Sequence, residues 1–205
     1  MKVFGLTGGA GSGKSAVAAL LQQYGAAIID TDVLAHQLST PPSAALDAIA
    51  TQFGVQFITV SGEMDRAAMR DLVLADPAAR ARLEAIFHPL ILQAARQQLL
   101  ALPPELSYAV LVVPLLFETA QFIDLIDLAI VVDCPETLQR QRLRLRPGLT
   151  ETRINQLLAA QCSRAARLAR ADIVIDNSGD LLQLELAVKQ LHARLTAYSG
   201  TIAQP

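Results

Sequence analysis

Five short apolar runs punctuate the chain, at residues 3–6, 27–29, 109–113, 128–132 and 173–175. They are rich in Val, Ile and Leu and lack the polar alternation of a half-exposed strand. Each therefore reads as a strand buried on both faces, as in a parallel sheet. Stretches with helical spacing of apolar positions separate them, which predicts an α/β fold with a doubly wound five-stranded parallel sheet. Helix starts are marked as well. Asp76-Pro77 sets a capping side chain before a proline at the first helical position. Cys134-Pro135-Glu136 opens a helix after the fourth run, and Thr150-Glu151 caps another. Pro89 is expected to kink its helix near His88.

Residues 33–103 carry no convincing strand, although 55–60 is ambiguous. That length exceeds one crossover connection and predicts a helical insertion beside the sheet. The expected core is then 1–32, 104–136 and 171–198, with a frayed tail at 199–205. No internal repeat or low-complexity linker interrupts this plan.

At 205 residues the chain suits one domain with an insertion. With 52% apolar and 18% charged residues, disorder is excluded. The mean hydropathy of +0.36 is high. Yet the longest apolar run, 108–117, is broken by Pro114, and a membrane span needs about 20 residues. The apolar content serves a dense core. Gly5, Gly8 and Gly9 fall where an export signal needs its apolar stretch, so a cytoplasmic protein is expected. Cys134 and Cys162 form no metal-binding spacing and read as reduced thiols, and three histidines offer little to zinc.

Charge is uneven. The net charge is -2, yet residues 137–170 hold eight arginines against the single acid Glu151, net +7, leaving -9 elsewhere. A basic arm on an acidic body suits a small anionic ligand better than nucleic acid. No membrane or obligate protein partner is implied.

The strongest signal is Gly8-Gly9-Ala10-Gly11-Ser12-Gly13-Lys14-Ser15, a full match to G-x-x-x-x-G-K-S/T between a strand and a helix. Glycines let backbone N–H groups turn around phosphate oxygens, and the helix N-terminus adds partial positive charge. Lys14 can reach β- and γ-phosphates and Ser15 can ligate Mg²⁺. Three strands end in an acid, Asp30, Asp133 and Asp176, and Asp32 follows closely on the first of these. Strand carboxyl ends face the ligand crevice, so any of them can meet a metal or a nucleophile, or simply cap a helix. Among the arginines, Arg142 and Arg146 share one helix face. A mobile arginine-bearing lid, 137–170, would supply charge and exclude water. Asp65-Arg66 with Arg70 reads either as an anion contact or as a solvated helix start. Lysine occurs only at 2, 14 and 189, which removes any Asn-Lys-x-Asp guanine-reading motif.

Further matches accompany the cradle. They are I-D-T-D at 29–32, M-D-R-A-A-M-R at 64–70, H-P-L-I at 88–91, V-P-L-L-F-E at 113–118 and D-N-S-G at 176–179. With G-L-T-G-G-A-G-S-G-K-S at 5–15, these make the chain resemble the dephospho-coenzyme A kinase family over about 3–195.

The resemblance implies a P-loop kinase sheet, a helical coenzyme-binding subdomain and a lid. It implies phosphorylation of the ribose 3′-hydroxyl of dephospho-coenzyme A by ATP with Mg²⁺, giving coenzyme A and ADP. By that resemblance Gly8, Ala10, Gly11, Ser12, Gly13, Lys14, Ser15 and Ala16 hold the triphosphate, and Asn177 lies near adenine. Asp32 orients or deprotonates the hydroxyl, while Arg142 and Arg146 act on the phosphates. Arg66, His88, Pro114, Leu115 and Glu118 fall where the coenzyme substrate is expected. Two departures stand out. Ala16 replaces a frequent threonine, and Pro147 occupies a usual Asp or Asn position, which bears on lid closure. Arg140 and Arg144 are expected to face solvent.

Overall fold

The computed structural model describes residues 1–199, so the expected tail lies outside the described residues from position 200 onward. The chain divides into two compact units, residues 1–29 with 102 onward, and 30–101.

The first unit is built on a parallel sheet. Its strands are β1 (Lys2–Gly8), β2 (Ala27–Asp30), β3 (Tyr108–Val112), β4 (Leu128–Asp133) and β5 (Ile173–Asp176), in the order β2-β3-β1-β4-β5. The five apolar runs are thus strands, each longer or shifted by a residue or two. Register is fixed by pairs such as Leu6 with Val112 and Ile130. β3 and β4 are buried at every position, as their unbroken apolar runs require. On one face Phe4, Leu6, Val110, Ile130 and Val132 pack with Val17 and Leu21 of α1 (Lys14–Gln23). Leu184, Val188, Leu191 and Leu195 of α10 (Leu181–Thr196) complete that layer. An Asp180–Gln183 capping box starts α10. Beyond β3 and β4 lie α6 (Leu116–Thr119), α7 (Glu136–Arg144), α8 (Glu151–Ala159) and α9 (Arg164–Leu168).

The second unit is helical: α2 (Thr31–Leu38), α3 (Ala44–Phe53), α4 (Arg66–Ala75) and α5 (Pro77–Leu100). The ambiguous segment resolves as a 3-10 turn, Val55–Phe57, followed by an Ile58–Met64 bridge. α5 packs against α2, α3 and α4, burying Ile86, Phe87, Ile91 and Ala95. Asp76 caps α5 through Ala78 N at 2.8 Å, with Pro77 following as expected. Pro89 lies inside α5, which runs on through it to Leu100.

Candidate functional site

The glycine-rich segment leaves the buried carboxyl end of β1 and enters α1. Gly13 occupies the N-cap with φ 100°, and it brings no side chain to cap α1. A Cβ there would lie 2.1 Å from Asn177 Nδ2, so glycine is required both by the left-handed backbone and by the close approach. Asn177 Nδ2 donates to Ser12 O at 2.7 Å. Arg142 adds Nη1 to the same carbonyl at 3.3 Å, and its Nη2 donates to Asn177 O at 3.0 Å. From below, the carboxamide of Gln139 packs against Gly9 while its Nε2 donates to Cys134 O at 3.0 Å. Loop, β4 exit and β5 exit are thereby locked together around one backbone arch.

Lys14 Nζ folds back to donate to Gly8 O at 2.8 Å and Gly9 O at 3.1 Å. Ser12 Oγ is buried without a hydrogen-bond partner. An arch lined by glycine, an ammonium held by backbone carbonyls and an orphaned hydroxyl fit a phosphate chain. Ser15 lies exposed in the first turn of α1. Among the described residues no cluster of three or more His, Cys, Asp or Glu is assembled for a metal ion. The exposed Ser15 hydroxyl is an oxygen donor of the kind Mg²⁺ accepts beside substrate phosphates and water.

The other expected residues divide by unit. In the sheet unit, Pro114 O accepts from Thr7 Oγ1 at 3.3 Å, and Leu115 precedes α6. Glu118 Oε1 accepts from Cys162 N at 2.7 Å. Ala10 N donates to Gln161 Oε1 at 2.7 Å. Arg146 is exposed at the turn after α7. Arg140 departs from expectation: it is half-buried, bonded to Glu136 at 3.1 Å and to Asn155 of α8 at 2.7 Å. Arg144 stays exposed but pairs with Glu151, which raises the guanidinium and holds the Glu151 carboxyl below its ordinary range. Both contacts tie α7 to α8.

In the helical unit, Asp32 lies in the first turn of α2, its N–H donating to Asp30 Oδ1 at 2.8 Å. Arg66 donates twice to Ser39 Oγ, at 2.5 and 3.2 Å, while Asp65 caps α4. His88 is half-buried in α5 beside Pro89. All three strand-end acids have structural partners. Asp30 caps α2, Asp176 accepts from Ser178 N at 2.9 Å, and Asp133 takes a forked pair from Arg164, closest at 2.6 Å. Hydrogen bonding to Asp133 raises the Arg164 guanidinium further.

Sequence reasoning gave no role of their own to Gln139, Gln161 and Arg164. Neutral amides carry no pattern of their own, and the Arg164–Asp133 pair joins residues far apart in the chain.

The family model described as dephospho-CoA kinase matches residues 2–183. The chain belongs to that family. A dephospho-CoA kinase of Aromatoleum aromaticum is 52% identical over 94% of this chain and 93% of its own length. A solved structure of a Thermus thermophilus protein superposes with TM-score 0.74 at 31% identity, covering 95% of this chain and 97% of that one. A dephospho-CoA kinase from Campylobacter jejuni shares the fold, with TM-score 0.72 at 24% identity over 96% and 98% of the two chains. The arch over Ser12 is therefore carried by a member of the dephospho-CoA kinase family. Cys134, after β4, is a packed thiol whose ionisation burial pushes up.

Proposed function

We propose that this protein transfers the γ-phosphoryl group of ATP to the ribose 3′-hydroxyl of dephospho-coenzyme A, giving coenzyme A and ADP, the last step of coenzyme A biosynthesis. The arch built by Gly13, Ser12 and Asn177 at the entry of α1 carries this reading, set beside family membership along nearly the whole chain.

The 3′-oxygen attacks the γ-phosphorus, the bond to the β–γ bridging oxygen breaks, and ADP leaves. Lys14 exchanges its loop carbonyls for β- and γ-phosphate oxygens. Gly8, Ala10, Gly11, Ser12, Gly13 and Ala16 shape the backbone around the chain of phosphates. Ser15 would hold Mg²⁺, which supplies neutralisation of the charge on the phosphate oxygens. Arg142 and Arg146 add positive charge as the phosphoryl group moves. Asp32 orients the hydroxyl and accepts its proton late, since a loose transition state needs no strong base. Asn177 frames the adenine end. Arg66, His88, Pro114, Leu115 and Glu118 serve the coenzyme substrate. Residues 137–170 act as a lid and 30–101 as the acceptor-binding unit. No helix among the described residues is long and apolar enough to cross a membrane.

The test is ADP release from Mg·ATP with dephospho-coenzyme A, beside AMP, CMP and shikimate. Turnover confined to dephospho-coenzyme A, with coenzyme A as product, is expected. Turnover on another acceptor alone overturns the reading.

A further inference from the structure

The corner between α8 and α9 reaches the phosphate loop through one neutral side chain. Gln161 Oε1 accepts from Ala10 N at 2.7 Å. Because an N–H can only meet the carboxamide oxygen, this contact fixes which end of the amide faces the loop. The Nε2 end then points at two carbonyls, Gly8 O and Pro114 O, each at 3.4 Å. One carboxamide therefore touches the last residue of β1, the second residue beyond it and the exit turn of β3.

The corner that carries Gln161 is itself anchored. Cys162 N donates to Glu118 Oε1 at 2.7 Å, and Cys162 O accepts from the buried Arg167 at 3.1 Å. Two residues on, Arg164 forks onto Asp133 at the end of β4. The carboxamide is thus held from the protein side by a charged, hydrogen-bonded base, and it meets the loop at Ala10, two residues before the Ser12 carbonyl that Asn177 holds.

We infer that Gln161 is a positioning residue for phosphoryl transfer: it fixes the Ala10 peptide and couples the α8–α9 corner to the opening of the phosphate loop. It makes this contact as a neutral group. A carboxylate in its place keeps the acceptor for Ala10 N–H, but it loses both donors and sets a negative charge beside the incoming polyphosphate. The inference rests on the kinase reading above for its kinetic part and on the fold alone for its structural part.

Two measurements on the full chain test it. The first is amide hydrogen exchange at Ala10 in the ligand-free protein. Gln161→Ala should speed exchange at least tenfold, while Gln161→Glu should leave it protected. The second is steady-state kinetics with Mg·ATP and dephospho-coenzyme A. Gln161→Ala should lower kcat at least tenfold, with the KM for dephospho-coenzyme A within threefold and the melting temperature little changed. Gln161→Glu should lower kcat further and raise the KM for ATP. Unchanged exchange at Ala10, or unchanged kcat in the Ala variant, overturns the assignment. So does a kcat loss that merely follows a fall in melting temperature. A wild-type protein inactive on dephospho-coenzyme A strikes the kinase reading instead, and the exchange result still decides whether Gln161 holds the loop.

Discussion

The side-chain amide of Asn177 donates to the main-chain oxygen of Ser12 at 2.7 Å, joining positions 165 residues apart. Asn177 is only 6% exposed, so this bond is made out of water's reach. Asn177→Asp removes the donor and sets a carboxylate against a carbonyl oxygen. The expected loss of stability is about 1–3 kcal/mol in urea unfolding. Weaker ATP binding by calorimetry should accompany it. An unchanged unfolding midpoint would show that the arch stands without this bond.

Lys14 sets its ammonium on the carbonyls of Gly8 and Gly9 at the mouth of the loop. Lys14→Ala is expected to lower kcat/KM by about 10²–10³-fold, the scale of removing one charged stabiliser of transferring phosphate. Steady-state kinetics with Mg·ATP and dephospho-coenzyme A check it.

Asp32→Asn preserves shape and removes the carboxylate. Turnover should fall far more than ATP affinity does, read by comparing kcat with the Kd for ATP. A variant with wild-type turnover would remove Asp32 from the mechanism.

Arg164→Ala leaves the Asp133 carboxylate, whose side chain is 11% exposed, without its forked partner. The arginine side is 50% exposed and solvent screens it, so a small downward shift of the midpoint in chemical denaturation is expected. Pairing the change with Asp133→Asn should recover part of it, because the uncompensated charge is then gone.

Tyr108 lies buried in β3 with its hydroxyl 2.8 Å from His192 Nδ1, and burial pushes its ionisation up to about 12. The folded state thus favours the neutral phenol. Its contribution to stability is complete below the ordinary value near 10 and disappears as pH rises through about 12. Ultraviolet titration should show a late phenolate step near the top of that window, absent in Tyr108→Phe.

β3 and β4 were legible because burial on both faces leaves an uninterrupted apolar run, whereas β5 departs from that expectation, alternating buried Ile173 and Ile175 with exposed Val174; the glycine-rich loop was legible because only glycine tolerates its backbone at Gly13. Arg140 was misread for the opposite reason. A charged residue on a short helix reads as solvent-facing, yet its partner Asn155 arrives from another helix 15 residues on. Gln139 and Gln161 escape any pattern because a neutral amide declares itself only by the carbonyl or N–H it finds. Residues 55–60 stayed ambiguous because a 3-10 turn followed by one bridge has neither period.

The folded-back Lys14 bears on which anions the loop admits. Its ammonium already rests on the carbonyls of Gly8 and Gly9, so an arriving ion must replace those oxygens with better ones. An anion held no better than those two carbonyls leaves the ammonium in place, so the pose tempers the loop's affinity for every anion it takes.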